Sequence, residues 1–143
     1  MIRIAEPSDS QQLHELNREF NEVEDITPND ILESINSNDH EIVVVAEEDG
    51  ILAGFVCVQI KRSFCYTDCT PEITEVYVRE QYRRKRIAAE MIRFAEEHCR
   101  REFPVHKFEL LTGEDNDSAK ALYRNLNYRQ DHEVHVNYPR MNS

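Results

Sequence analysis

The chain has 143 residues, the length of one ordinary domain, and its 40% apolar content fills one core but is too low for a membrane-spanning protein. Its longest clear apolar run, residues 42–46, falls far short of the roughly 20 residues that cross a bilayer. The formal net charge of −11 disfavours nucleic acid and anionic membranes as partners; it suits a cationic substrate, and equally an acidic surface that only keeps the protein soluble.

The first seven residues, Met1 to Pro7, carry no apolar h-region and no small-residue cleavage site, which predicts a cytoplasmic protein without a signal peptide. Residues 1–5 alternate weakly and read as an edge strand. Ser8 or Asp9 can cap a helix running to about Glu22, with Leu13, Leu16 and Phe20 on one face. Thr27-Pro28 opens a second helix, with Ile31, Leu32 and Ile35 as its apolar stripe. Residues 41–46 form a β-branched run and a buried strand, Glu48-Asp49-Gly50 a turn, and residues 51–60 the return strand of a hairpin. Residues 61–70 read as a loop closed by Pro71, and residues 72–78 as a strand. A long helix is expected over 83–102, with Ala88, Met91, Ile92, Ala95 and Cys99 on one face. A strand over 105–111, a helix over 116–126 and a last strand over 133–138 complete the chain. The order β-α-α-β-β-β-α-β-α-β predicts an α/β fold with a mixed sheet, antiparallel in its hairpins and parallel across the long helix. No linker or repeat divides it, so residues 1–143 read as one domain.

Two stretches carry chemistry. Arg83-Arg84-Lys85-Arg86 places four consecutive cations between a strand and a helix start, in an acidic chain. Positive charge there opposes the helix dipole by about 0.3–1 kcal/mol per charge, which suits a bound anion: helix-start N–H groups and cations together hold phosphate. A solvated turn paired with Glu80 or Glu90 is the plainer alternative. Further on, Asn116, Ala119 and Tyr123 share a helical face and present an amide, a small residue and a phenol. Cys57, Cys65, Cys69 and Cys99 read as free thiols. No second ligand pair follows Cys65 and Cys69, so no metal is expected. The six histidines show no pairing that suggests a triad.

Together these stretches resemble the GNAT N-acetyltransferases. The family pattern Val-x-x-x-x-Arg-x-x-Gly-x-Gly/Ala is matched by Val78, Arg83, Ile87 and Ala88, with Arg86 in place of the first glycine. The pattern Asn-x-x-Ala-x-x-Leu-Tyr-x-x-x-Gly-Phe is matched by Asn116, Ala119, Leu122, Tyr123 and Tyr128, with Asn127 in place of the glycine.

The resemblance implies a GNAT fold with splayed central strands and acetyl-CoA as co-substrate. It places the pantetheine arm and the acetyl carbonyl against backbone near Val76 and Val78. The pyrophosphate falls on Arg83, Arg84, Lys85, Arg86, Ile87 and Ala88, and further cofactor contacts on Asn116, Ala119 and Tyr123. Tyr123 becomes the acid for the departing thiolate, and Glu75 or Glu72 the base. Those two carboxylates have opposite parity on a regular strand, so one faces the site, and Glu75 is preferred. Glu24 and Asp25, in the connection between the first two helices, would meet a cationic acceptor such as an aminoglycoside or a polyamine. A small-molecule or peptide amine is the implied partner, and the family's frequent dimers leave a homodimer open. Arg86 keeps alive an alternative: an acyl-CoA-binding module without turnover, used for sensing or regulation.

Overall fold

The computed structural model describes residues 1–139 apart from 23 and 114. Among these residues nine helices and strands follow in chain order. They are β1 (Ile2–Ile4), α1 (Ser10–Asn21), α2 (Pro28–Ser37), β2 (Glu41–Glu48), β3 (Ile51–Lys61), β4 (Thr70–Val78), α3 (Ile87–Glu102), β5 (Glu109–Leu110) and α4 (Asp117–Asn125). Short 3₁₀ turns precede α1 and α3. The five strands form one mixed sheet in the order β1-β2-β3-β4-β5, antiparallel through β4 and parallel between β4 and β5. Among the described residues no helix is long and apolar enough to cross a membrane.

Local chemistry sets the starts of the first elements. Thr27 caps α2: its hydroxyl accepts from the Asp30 N–H at 3.1 Å, and the Asp30 carboxylate accepts from the Thr27 N–H at 2.9 Å. Before α1, Asp9 is buried against Arg3 at 2.7 Å, and Arg3 also reaches Glu47 at 2.9 Å, tying β1, the helix start and β2 together. The guanidinium holds the Asp9 carboxyl below its usual range. Asp49 and Gly50 both take positive φ, 51° and 81°, the geometry of the tightest hairpin turn.

The sheet is covered on both faces. On one face Val44, Ala46, Val56, Val58, Ile73 and Val78 pack with Ile87, Met91, Ile92, Ala95 and Cys99 of α3. On the other, Val45, Leu52 and Phe55 pack with Leu13 and Leu16 of α1, flanked by Phe20, Ile31 and Ile35.

The fold departs from expectation at three places. Helix α3 begins at Ile87 rather than Arg83, because Arg84 and Arg86 take left-handed backbone (φ 66° and 61°), which a right-handed helix cannot contain. The strand expected over 105–111 is reduced to Glu109–Leu110 plus an isolated bridge from Val105 to Cys69. The last strand is absent: residues 129–138 have no regular secondary structure, and Val134, Val136 and Tyr138 are exposed. An alternating segment becomes a strand only beside a partner that supplies a ladder, and the edge strand β5 is two residues long.

Candidate active site

The site begins with the phase of β4. The Arg79 N–H donates to the Ala53 carbonyl at 2.8 Å, and the register pairs Gly54 with Val78, Tyr77 with Phe55 and Val76 with Val56. In an antiparallel ladder the bonded and non-bonded pairs alternate. Glu75 and Tyr77 therefore bond to β3, while Val76 and Val78 turn their N–H and C=O groups to the opposite edge. Along that edge β5 pairs only with Glu72 and Ile73. Above this point β4 and β5 part, and the main chain of residues 74–78 has β3 as its only sheet neighbour among the described residues.

Gly54 makes this geometry possible. A Cβ there would lie 2.3 Å from the Tyr77 carbonyl oxygen and 3.0 Å from the Val78 Cα, so any side chain would push the end of β4 away.

The basic turn follows directly. Arg83 Nε donates to the Val78 carbonyl at 2.8 Å, linking turn and strand end. Arg83, Arg84, Lys85 and Arg86 are all exposed. Among the described residues none of the four makes an ion pair; the pairing with Glu80 or Glu90 does not occur. Arg86 is the N-cap of α3, and no side chain caps that helix start. The first N–H groups of α3 thus have no partner within the helix. Uncapped donors, helix dipole and four unpaired cations converge on one turn. Ile87, Ala88, Val76, Val78 and Tyr123 all belong to or pack against the core cluster under α3.

Asn116 caps α4, its side-chain oxygen accepting from the Ala119 N–H at 3.1 Å. Asn127 closes the same helix in left-handed backbone, φ 71°, and the Tyr128 N–H donates back to the Tyr123 carbonyl at 2.9 Å. The Tyr128 hydroxyl donates to the buried carboxylate of Glu96 at 2.7 Å, fastening this end to α3. Tyr123 is half-buried, and burial raises its phenol above the ordinary value.

The two carboxylates on β4 correct the parity argument. Cys57 pairs with Glu75 and Val58 with Ile73, which leaves Thr74 as an extra residue, a β-bulge. Glu72 opposes Gln59 and Glu75 opposes Cys57, so both carboxylates lie on one face of the sheet, the α1–α2 face. Their surroundings differ. Glu72 is held by Lys61 at 3.5 Å, and Lys61 also meets Glu109 at 3.2 Å. The Glu75 carboxylate makes no hydrogen bond or ion pair among the described residues, and burial raises its carboxyl. Glu41, which the sequence reading passed over, lies on the same face. Burial raises it first and the Glu75 charge adds to that, against a hydrogen bond of 2.8 Å from Gln59. Only the strand register reveals Glu41.

Glu24 and Asp25 are exposed in the α1–α2 connection. Glu24 shares a shallow groove with Glu15, Arg18, Glu19 and Glu22 of the α1 end; Asp25 does not line it.

The four cysteines are free thiols, with Cys69 and Cys99 buried. Among the described residues no group of three or more His, Cys, Asp or Glu side chains is arranged to hold a metal.

The family model described as "Acetyltransferase (GNAT) family" matches residues 10–128, most of the chain and all of the site just described. The chain belongs to this acetyltransferase family. Solved structures of similar fold include a ribosomal-protein-alanine N-acetyltransferase from Brucella melitensis biovar Abortus 2308 (17% identity, 96% of this chain and 99% of that one, TM-score 0.83). A glucosamine-6-phosphate N-acetyltransferase from Arabidopsis thaliana gives 23% identity over 96% and 97% of the two chains, at TM-score 0.83. The aminoglycoside N-acetyltransferase AAC(6')-Iy in complex with CoA gives 16% identity over 96% and 98%, at TM-score 0.81. At these identities the likeness is one of fold. No curated protein matches the chain. Acetyltransferases of the GNAT family use acetyl-CoA, which fits an uncapped basic turn beside an open strand edge.

Proposed function

We propose that this GNAT member, read as one N-acetyltransferase domain over residues 1–143, moves an acetyl group from acetyl-CoA to a primary amine by direct attack in a ternary complex. The observation that carries the reading is the junction of the free β4 edge at Val76 and Val78 with the cations of residues 83–86, which make no ion pair among the described residues, and the uncapped N–H groups at the start of α3. An amide-bearing arm needs main-chain donors and acceptors in line, and phosphates need cations and N–H groups at its far end. This junction offers both, one after the other.

Acetyl-CoA, when bound, supplies an acetyl group activated as a thioester. The N–H and C=O groups of Val76 and the N–H of Val78 align the arm, and Arg83 to Ala88 hold the phosphates. Ala119, small and beside the capped start of α4, leaves room for the cofactor. Glu75 takes the proton that an ammonium of pKa ~10.4 must lose before its nitrogen can attack. Its raised, unpaired carboxyl is free to accept a proton, whereas that of Glu72 is engaged in an ion pair with Lys61. Tyr123 keeps its proton at neutral pH and delivers it to the departing sulfur late, once negative charge has gathered there. The acid-lined groove at Glu15, Glu19, Glu22 and Glu24 favours a cationic acceptor, an aminoglycoside or a polyamine.

Free thiol release from acetyl-CoA, followed across polyamines, aminoglycosides and peptide N-termini, tests the proposal. Amine-dependent release with at least one cationic acceptor is expected. Tight acetyl-CoA binding without release from any amine would turn the reading toward a binding module.

A further inference from the structure

We propose that Tyr77, which no sequence pattern singled out, is a positioning residue that holds Arg83 ready for acyl-CoA phosphates; the inference rests on the reading of the basic turn given above. Tyr77 sits between Val76 and Val78, but its side chain projects to the α1–α2 face. Its ring centroid lies 5.7 Å from the Arg83 guanidinium carbon. With Nε donated to the Val78 carbonyl, the guanidinium is held at two points, and its terminal nitrogens remain without an ion pair among the described residues.

The ring is itself anchored. Phe20 of α1 lies 5.2 Å away, centroid to centroid, and Phe55 of β3 lies 6.2 Å away. The Tyr77 hydroxyl donates to Glu19 of α1 at 3.0 Å, and Glu19 in turn holds Arg79 at 3.1 Å. One side chain thus joins the basic turn to the end of α1. A free surface arginine loses rotamer freedom when it grips a phosphate; one already held against a ring loses less, and the difference appears as affinity. On this account Tyr77 acts on the cofactor only through Arg83.

A double-mutant cycle on acetyl-CoA affinity tests this by calorimetry without any acceptor. Tyr77→Leu should weaken binding about two- to fivefold in the wild-type background. In the Arg83→Ala background it should cost nothing further, because the group it positions has gone. Tyr77→Phe keeps the ring and should keep the affinity. An unchanged affinity in Tyr77→Leu, or an equal loss in both backgrounds as general packing would give, overturns the inference. If Arg83→Ala binds acetyl-CoA like wild type, the basic-turn reading itself has failed, and that single variant shows it. Circular dichroism confirms folding; Tyr77→Met replaces a leucine variant that does not fold.

Discussion

Glu75 and Glu72 stand three residues apart, and a regular strand would send them to opposite faces. The extra residue at Thr74 undoes that alternation and brings both to the α1–α2 face, where ion pairing rather than orientation separates their roles. Nothing in residues 70–78 announces a bulge, since it depends on how β3 and β4 meet. Glu75 also makes a pH prediction. Its folded pKa is raised by burial, so the native state binds more protons than the unfolded chain between the ordinary glutamate pKa and the raised one. Stability therefore falls as pH rises through that window. Glu75→Gln, which cannot ionise, should melt no lower than wild type at pH 7, the difference vanishing in acid below the ordinary glutamate pKa. The same variant should lose about 10²–10⁴ in kcat. Melting curves at several pH values and steady-state kinetics check both halves, and a variant that melts lower yet turns over normally contradicts them. Two further residues, Arg86 and Asn127, stand where the family pattern has glycine. Both take the positive φ that glycine would supply, so the backbone requirement persists without the residue that meets it most easily. The motif was legible in the sequence; that its geometry survives substitution was not.

At the scale of elements, helices were read from periodicity and caps, and those signals are local. The start of α2 at Thr27-Pro28, the helix that follows Asn116, and the apolar stripe of α3 all rest on signals within one or two turns, so they appear where the sequence placed them. The fate of residues 105–111 and 133–138 depends on partners distant in sequence, and the start of α3 on left-handed backbone at two arginines that no residue type there announces, which is where the reading missed. The close approach of β3 to the end of β4 belongs to this second class, and Gly54 is its checkable support. Gly54→Ala must move the Tyr77 carbonyl from a contact of 2.3 Å. It should cost about 1–3 kcal/mol of stability, the usual penalty for overpacking. It should also weaken acetyl-CoA binding measured well below the melting temperature, because the displaced main chain is the one proposed to receive the arm. Thermal denaturation and calorimetry decide it: wild-type affinity in a folded Gly54→Ala protein would show that the Val76–Val78 edge does not bear on the cofactor.

For the whole molecule, the distribution of charge says more than its total. A net charge of −11 only disfavours nucleic acid and anionic surfaces, whereas four cations without an ion pair among the described residues, in the turn before α3, are the basis of the proposed anion site. The family and the co-substrate were legible because two short motifs carry them. The acceptor was not, because the acids that would receive it are spread along α1 and its connection in no fixed spacing. The central claim is that the turn at residues 83–86, beside the open edge of β4, is where the phosphates of acetyl-CoA sit. Calorimetric titration of acetyl-CoA into wild type and into Arg83→Glu and Arg84→Glu tests it most directly. Both side chains are exposed, so both variants should stay folded; Arg84→Glu should melt like wild type, and Arg83→Glu, which gives up the bond to the Val78 carbonyl, should be about 1 kcal/mol less stable. Each should bind at least tenfold more weakly, a loss of about 1.4 kcal/mol. Wild-type affinity in both charge-reversed proteins would contradict the account.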